Sequence, residues 1–365
     1  MLMHHDPHML KWEWLAEQIP YPDPRPGEDL KALGTAHVPW FPDAGPAVRG
    51  DTYPVTWADD DGLYTSSGDP NWGEKGQGLD VEEFCGFPPD YRIRKVNEML
   101  DYNGSGGAGP KPSGMICVDG VLYLAFQNLL GKKPPAHGEQ SQHGSDAAIV
   151  CSRDHGATWL PRLTEIAAPM FPGPSFGGPA FINHGRNNAG APDGFVYAVS
   201  TDQWDNGSHL RLGRVPAGRI MERTAWQWAA DADPRGQPRW THDLAAAHPV
   251  FSDLRRLSLP EMVYLAPLGR YLLLTWRLYR DFSPEHGSEL MIYEAPAPWG
   301  PFRLVHHEPV WESREMNAYC PRIPLKWMQP CENGVTGWLQ FSGSWRKNSP
   351  QYRSHVRAFR VRSGQ

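Results

Sequence analysis

The sequence is short of the signals that mark several large protein classes. No run of Lys and Arg forms a basic stripe, and the formal net charge is −6. The electrostatic footprint of a nucleic-acid binder is therefore missing. No stretch of 18 apolar residues occurs, so no transmembrane helix is expected. The first residues, MLMHHDPHMLKWEWLAEQ, lack the charged, apolar and small-residue regions of a signal peptide. The chain as written reads as cytoplasmic, or as secreted or periplasmic if a signal was removed. Cysteine is scarce: Cys85, Cys117, Cys151, Cys320 and Cys331 are odd in number, and none sits in a CxxC. Neither a disulfide framework nor a zinc site is indicated. There is no GxGxxG, P-loop, HExxH or GxSxG, so the chemistries those motifs serve have nothing to rest on.

Long helices have no room either. The 365 residues include 37 Gly and 37 Pro, which cost a helix entropy and hydrogen bonds. Only Leu10–Gln18 reads as a short amphipathic helix. With 16 Trp, 13 Tyr and 13 Phe, the rest reads as short strands joined by turns. Hydrophobic residues make up 40 % and charged residues 21 %, enough for a large core.

What is present is a repeat. A polar turn with Gly, an aromatic residue and a strand recur as ADDDGLYTSSGD, VDGVLYLAFQN, PDGFVYAVSTD, APLGRYLLLTW and ENGVTGWLQFSGS. Their glycines, Gly62, Gly120, Gly194, Gly269 and Gly334, lie 58, 74, 75 and 65 residues apart. Asp-Gly and Asn-Gly favour tight hairpins because Gly accepts a positive φ. Second hairpins follow in DAAIVCSRD, SHLRLGRVP before TAWQWAA, SELMIYEAP before FRLVHHEP, and YRSHVRAFRVR. Four strands per unit, repeated five times, predict an all-β chain: a five-bladed β-propeller of four-stranded antiparallel blades. The expected division is an N-terminal extension over 1–45 and a single propeller over 46–365.

Ser152–Trp159 reads S-x-D-x-G-x-T-W, the pattern of an Asp-box, which is found in propellers of the sialidase type. Its carboxylate is expected to accept turn N–H groups and its Trp to pack between blades. Asp154 is therefore framework. The segments DTYPVTWADDDGLYTSSGD, SGMICVDGVLYL, SFGGPAFINHGRNNAGAPDGFVYAVSTD, LGRVPAGRI, MVYLAPLGRYLL, IYEAPAPWGPFRLV and LKWM…WLQFSGS resemble a bacterial domain-of-unknown-function family of five-bladed propellers. The likeness runs from about residue 50 to 345. Some relatives in that family look like endo-D-arabinanases, and its wider neighbours are five-bladed glycosidases. The resemblance implies a carbohydrate-active enzyme with an oligo- or polysaccharide substrate.

Glycoside cleavage needs two carboxylates flanking the scissile bond. The first strand of each blade should line the channel, so acids at or near these strands and away from the turns are the candidates. Glu261, inside the apolar LSLPEMVYL, is the first choice as general acid, because desolvation raises a carboxyl pKa. Arg255 and Arg256 lie just upstream to orient it or to bind a substrate carboxylate. Asp51, before YPVTW, is the partner base, and Asp69 in SSGDPNWG is placed to reach the same mouth. Asp202 and Trp204 in STDQWDNG combine an acid with a sugar-stacking ring. Asp59, Asp60 and Asp61 occupy a turn, where acids are ordinary.

Two other readings fit the same strands. A polysaccharide lyase would use His and Tyr as base and acid with Arg against a uronate; His137, His143, Tyr319 and Arg186 have the right chemistry. His137 and His143 lie in a Gly/Pro-rich insertion suited to an active-site rim. A sugar- or protein-binding propeller without catalysis is the third reading. No cofactor and no metal site are read from the sequence; HHDPH at residues 4–8 is a terminal His cluster, and a structural cation in the channel is compatible with the fold. The sequence assigns no oligomeric state.

Overall fold

A computed structural model describes residues 9–15, 19–20, 50–70, 78–89, 91–102, 109–131, 144–279, 287–344, 349 and 351–364. The chain forms a five-bladed β-propeller of antiparallel sheets. Blade one runs Asp51–Trp57, Leu63–Gly68, Leu79–Cys85 and Arg92–Asn97. Blade two has Lys111–Val118, Val121–Gln127 and Ala148–Ser152, with a lone Cys151–Leu160 bridge where a fourth strand would lie. Blade three starts with the short Ala180–Phe181 and continues through Phe195–Thr201, Gly207–Pro216, Gln227–Ala232 and Pro238–Thr241. An additional strand, Phe251–Leu257, pairs with Gly207–Pro216. Blade four is Glu261–Leu265, Arg270–Leu278, Ser288–Ala295 and Arg303–Glu308.

Blade five closes the ring. Tyr319–Arg322, Gly334–Ser342 and Ser354–Arg362 are completed at the outer edge by Lys11–Trp14. The helix expected over Leu10–Gln18 is therefore a strand over Lys11–Trp14. Alternation explains the difference: Trp12 and Trp14 are two apart, so both rings fall on one face of a strand. Trp12 stacks on Phe359 at 4.2 Å, and Trp14 Nε1 donates to Glu308 of blade four at 3.1 Å.

Second strands such as Val121–Gln127 are buried on both faces, because each blade is sandwiched between two others. This is why they read as continuous apolar runs. The core is distributed between blades; one cluster joins Ile116 and Ile149 of blade two to Phe181 and Val196 of blade three.

The hairpin turns follow the repeat, but glycine serves them in two ways. Between Val118 and Val121 both turn residues, Asp119 and Gly120, have positive φ (50° and 73°), as a two-residue hairpin requires. In the last blade the left-handed residue is Asn333 (φ 57°), and Gly334 is needed for close approach: a Cβ there would lie 2.0 Å from Val361 O.

Around Ser152–Trp159, Asp154 accepts from Thr158 N at 2.8 Å and Thr158 Oγ1 at 2.6 Å. Trp159 packs with Val81 of blade one and Val150 of blade two.

Candidate functional site at the channel mouth

The inner strands lie side by side around the axis and point the same way; Asn183 and Val263, of blades three and four, form a parallel bridge. Their starts therefore share one mouth and their ends the other. Between the mouths the channel is cross-linked. Thr56 Oγ1 donates to Asn183 Oδ1 at 2.9 Å and accepts from Cys117 N at 2.9 Å, while Asn183 Nδ2 reaches Met115 O at 3.1 Å. Chemistry on a substrate is thereby confined to a mouth.

At the mouth where the inner strands start, three of them are irregular. The pairing register shifts between Thr52 and Val55, between Pro112 and Gly114, and between Tyr319 and Arg322. Bulges of this kind re-aim side chains at rims. Non-glycine residues with positive φ gather here: Thr52 (69°), Tyr53 (41°), Asp69 (43°), Asn317 (44°) and Cys320 (51°). Such strain persists only where the surroundings over-determine it, and it clusters at functional sites.

The distorted strands bring Asp51, Asp69, Lys111, Tyr319 and Tyr352 together. Asp51 Oδ2 accepts from the Tyr319 hydroxyl at 2.9 Å. Lys111 Nζ binds Asp69 Oδ1 at 2.7 Å. The Tyr352 hydroxyl donates toward the carbonyls of Gly68 and Asp69, each at 3.3 Å. Gly68 is the hinge of the group, since a Cβ there would meet Asp51 Oδ1 at 2.4 Å and Lys111 Cδ at 3.2 Å. All five surrounding side chains are buried. Burial pushes the Asp51 carboxyl up to about 7, and the charge of Asp69 adds to this; Lys111 and the Tyr319 and Tyr352 hydroxyls pull the other way. A carboxyl raised in this way is suited to giving and taking protons.

Glu261 starts the fourth inner strand, buried as expected, and burial pushes its carboxyl up to about 7 against the pull of Arg322. Its partners are Arg322 Nη1 at 3.4 Å and the Ile323 amide at 3.1 Å. Arg322, rather than Arg255 or Arg256, is therefore its cation. Arg322 also donates to Thr52 O at 2.9 Å and to Pro260 O at 3.0 Å, tying blades one, four and five. Burial raises the pKa of the Cys320 thiol, Arg322 opposes the rise, and the charges of Asp51, Asp205 and Glu261 add to it.

The other candidates fall elsewhere. Arg255 and Arg256 sit on the additional strand of blade three: the Arg255 amide donates to Ser208 Oγ and Arg256 pairs with Glu289 at 3.4 Å. Asp202 Oδ1 accepts from Ser208 N at 2.9 Å and His209 N at 3.1 Å, the polar end of a hairpin. Trp204 is buried in the cluster that holds Leu259 and Trp276, which takes its ring out of reach of a sugar face. Arg186 follows the third inner strand, at the opposite mouth from Tyr319, and its guanidinium donates to Asp59 O. Arg186 and Tyr319 are thus not brought together. His137, His143 and the terminal HHDPH cluster lie outside the described residues.

Lys111, Arg322 and Tyr352 escaped the sequence reading, which looked to the inner strands mainly for a pair of acids. The signal was available for two of them: Lys111 in KPSGMICV and Arg322 in YCPRIP are charges inside apolar strands, as Glu261 is. Among the described residues, Asp59, Asp60 and His155 could hold a metal ion by the mutual closeness of their ligand atoms; Asp59 and Asp60 are exposed at the turn after the first inner strand, and half-buried His155 comes from the Ser152–Trp159 turn of blade two.

No protein-family model and no curated protein matches the chain, so the likeness to the domain-of-unknown-function family stays one of motifs. Some solved structures are similar to the chain at low identity. An alpha-L-arabinofuranosidase from Podospora anserina, solved with cellotriose, is 12 % identical, with 97 % of this chain and 98 % of that chain covered and a TM-score of 0.48. A xylan beta-1,4-xylosidase from Bacillus halodurans is 12 % identical, covering 88 % of this chain and 56 % of that one, with a TM-score of 0.49. A GH43_1 enzyme from Xanthomonas citri is 13 % identical over 90 % of each chain, with a TM-score of 0.45.

Proposed function

We propose that the chain is a glycoside hydrolase that works at the mouth holding Asp51 and Asp69. The observation that carries this reading is the Asp51 carboxyl: buried on a bulged inner strand, beside a second carboxylate, and pushed up to about 7. Two neighbouring carboxyls with different partners are the equipment of glycosidic cleavage. Asp51, backed by two phenols, is the proton donor to the leaving oxygen. Asp69, its charge balanced by Lys111, is the second carboxylate. Glu261 is assigned to holding Arg322, and through it the backbone of Thr52, in place. The substrate is an oligo- or polysaccharide.

The test is a screen of aryl glycosides and plant and bacterial polysaccharides with the wild type, Asp51→Asn and Asp69→Asn. Hydrolysis by the wild type, lost by about 100-fold or more in either variant at unchanged melting temperature, is expected for a general acid or its partner. Full activity in Asp51→Asn sinks the assignment. Binding of a saccharide by the wild type with no turnover favours a carbohydrate-binding propeller instead.

A further inference from the structure

At the other mouth, where the inner strands end, the ring opens into a cavity of about 260 Å³. Trp57, the last residue of the first inner strand, and Tyr264 of the fourth supply aromatic walls. Leu325, Met328 and Val335 of blade five supply aliphatic ones, and His184 lines the space after the third inner strand.

The wall carries no free charge. His184 Nδ1 faces Asn188 Oδ1 at 3.2 Å and Nε2 faces the Tyr271 hydroxyl at 3.3 Å. An amide oxygen only accepts, so Nδ1 carries a proton, and the phenol can donate to Nε2, which is the arrangement of a neutral ring. Burial holds the His184 pKa below its ordinary value, in keeping with that tautomer. At the rim, Asp61 accepts from Trp57 Nε1 at 2.7 Å and pairs with Lys326 Nζ at 3.1 Å. The rim charge is thus balanced locally, and the Trp57 edge is fixed. Tyr264 is braced by Tyr271, with ring centroids 4.9 Å apart.

We propose that this cavity is a second ligand site, separate from the acids, and that it takes an uncharged planar aryl group. An apolar cavity of roughly 150 Å³ holds one benzene ring, so the space here accommodates a bicyclic ring system. Aromatic faces and the Met328 thioether suit a flat, polarizable ligand. A sugar ring fits less well, because Leu325, Met328 and Val335 would leave hydroxyls without partners. A charged ligand meets no counter-charge inside.

The probes are indole, benzoate and benzylamine, titrated calorimetrically into the full chain. Indole is expected to bind at millimolar concentration or below, and both charged probes at least about ten-fold more weakly. Ala266→Trp, at an exposed rim position of the cavity, is expected to weaken indole by about ten-fold or more. Trp57→Ala, which removes a wall, is expected to do the same. Ala266→Trp should leave saccharide hydrolysis and melting unchanged, and Asp51→Asn should bind indole as the wild type does. No heat from indole at roughly 10 mM, equal binding of the charged probes, or undiminished binding by both cavity variants overturns the proposal. None of these outcomes depends on whether the acid mouth hydrolyses a saccharide.

Discussion

Tyr319 and Asp51 meet across the seam where the last blade joins the first: the phenol donates to the carboxylate at 2.9 Å although 268 residues separate them. The bond exists only when the ring is closed, so the candidate proton donor is assembled by the tertiary fold rather than by any local motif. The same group depends on Gly68. With a Cβ at 2.4 Å from Asp51 Oδ1, Gly68→Ala must displace the carboxyl. Hydrolysis is expected to fall by at least about ten-fold, with destabilisation of about 1–3 kcal/mol from overpacking. Activity assays and thermal melts of the variant check this, and wild-type turnover by it contradicts the geometry.

Glu261 and Arg322 form a buried ion pair at 3.4 Å. Removing one member leaves an uncompensated charge or its donors unpaired, at a cost of about 3–5 kcal/mol. Arg322→Met is expected in that range. Glu261→Gln with Arg322→Met should cost clearly less than the two single changes added together, since neither charge is left behind. Urea denaturation of the four proteins measures the coupling, and strict additivity counts against a direct pair.

Stability should fall as pH rises from acid to alkaline. Asp80 and Glu82 are fully buried on one strand of blade one. Burial pushes Glu82 up to about 8 and Asp80 up to about 9, the latter helped by the charge of Glu82. Both folded values exceed the unfolded ones, so the native chain binds more protons than the unfolded chain between these limits. The stability they contribute is full below the unfolded values and is lost as pH rises through the folded ones. Asp51 and Glu261, each near 7, act in the same direction at lower pH. The melting temperature is expected to decline between about pH 5 and pH 9, and Asp80→Asn to flatten the upper part of the decline. A melting temperature that climbs over the alkaline range would falsify this account.

Asp154→Ala separates framework from chemistry. It removes the bonds from Thr158 N and Thr158 Oγ1 and one from Ser152 Oγ at 2.8 Å. A loss of about 1–3 kcal/mol is expected, with hydrolysis per folded molecule unchanged. Activity lost out of proportion to folding would give the turn a role beyond structure.

The blades were legible because their signals are local. A Gly or Asn turn followed by an apolar run needs only a few neighbouring residues to specify it, and each of the five was read where the hairpin lies. The site was half legible. Asp51 and Glu261 stand at the starts of inner strands, as their positions in the sequence implied. Which groups they pair with was not readable, because Tyr319, Lys111 and Arg322 are contributed by other blades. Arg255 and Arg256 illustrate the limit: they are near Glu261 along the chain, yet the additional strand Phe251–Leu257 carries them to blade three. Trp204 likewise reads as a sugar platform in sequence, and packing turns it inward.

The strand Lys11–Trp14 has a consequence for how the molecule comes into being. Its partner, Ser354–Arg362, follows the strands of blades one to four along the chain and is made after them. The Lys11–Trp14 strand must therefore wait, unpaired, until those four blades have been made before its sheet exists. Contacts this distant in sequence slow folding, and an unpaired edge is open to other chains meanwhile. Removing Lys11–Trp14 should then take the latch from a closed ring.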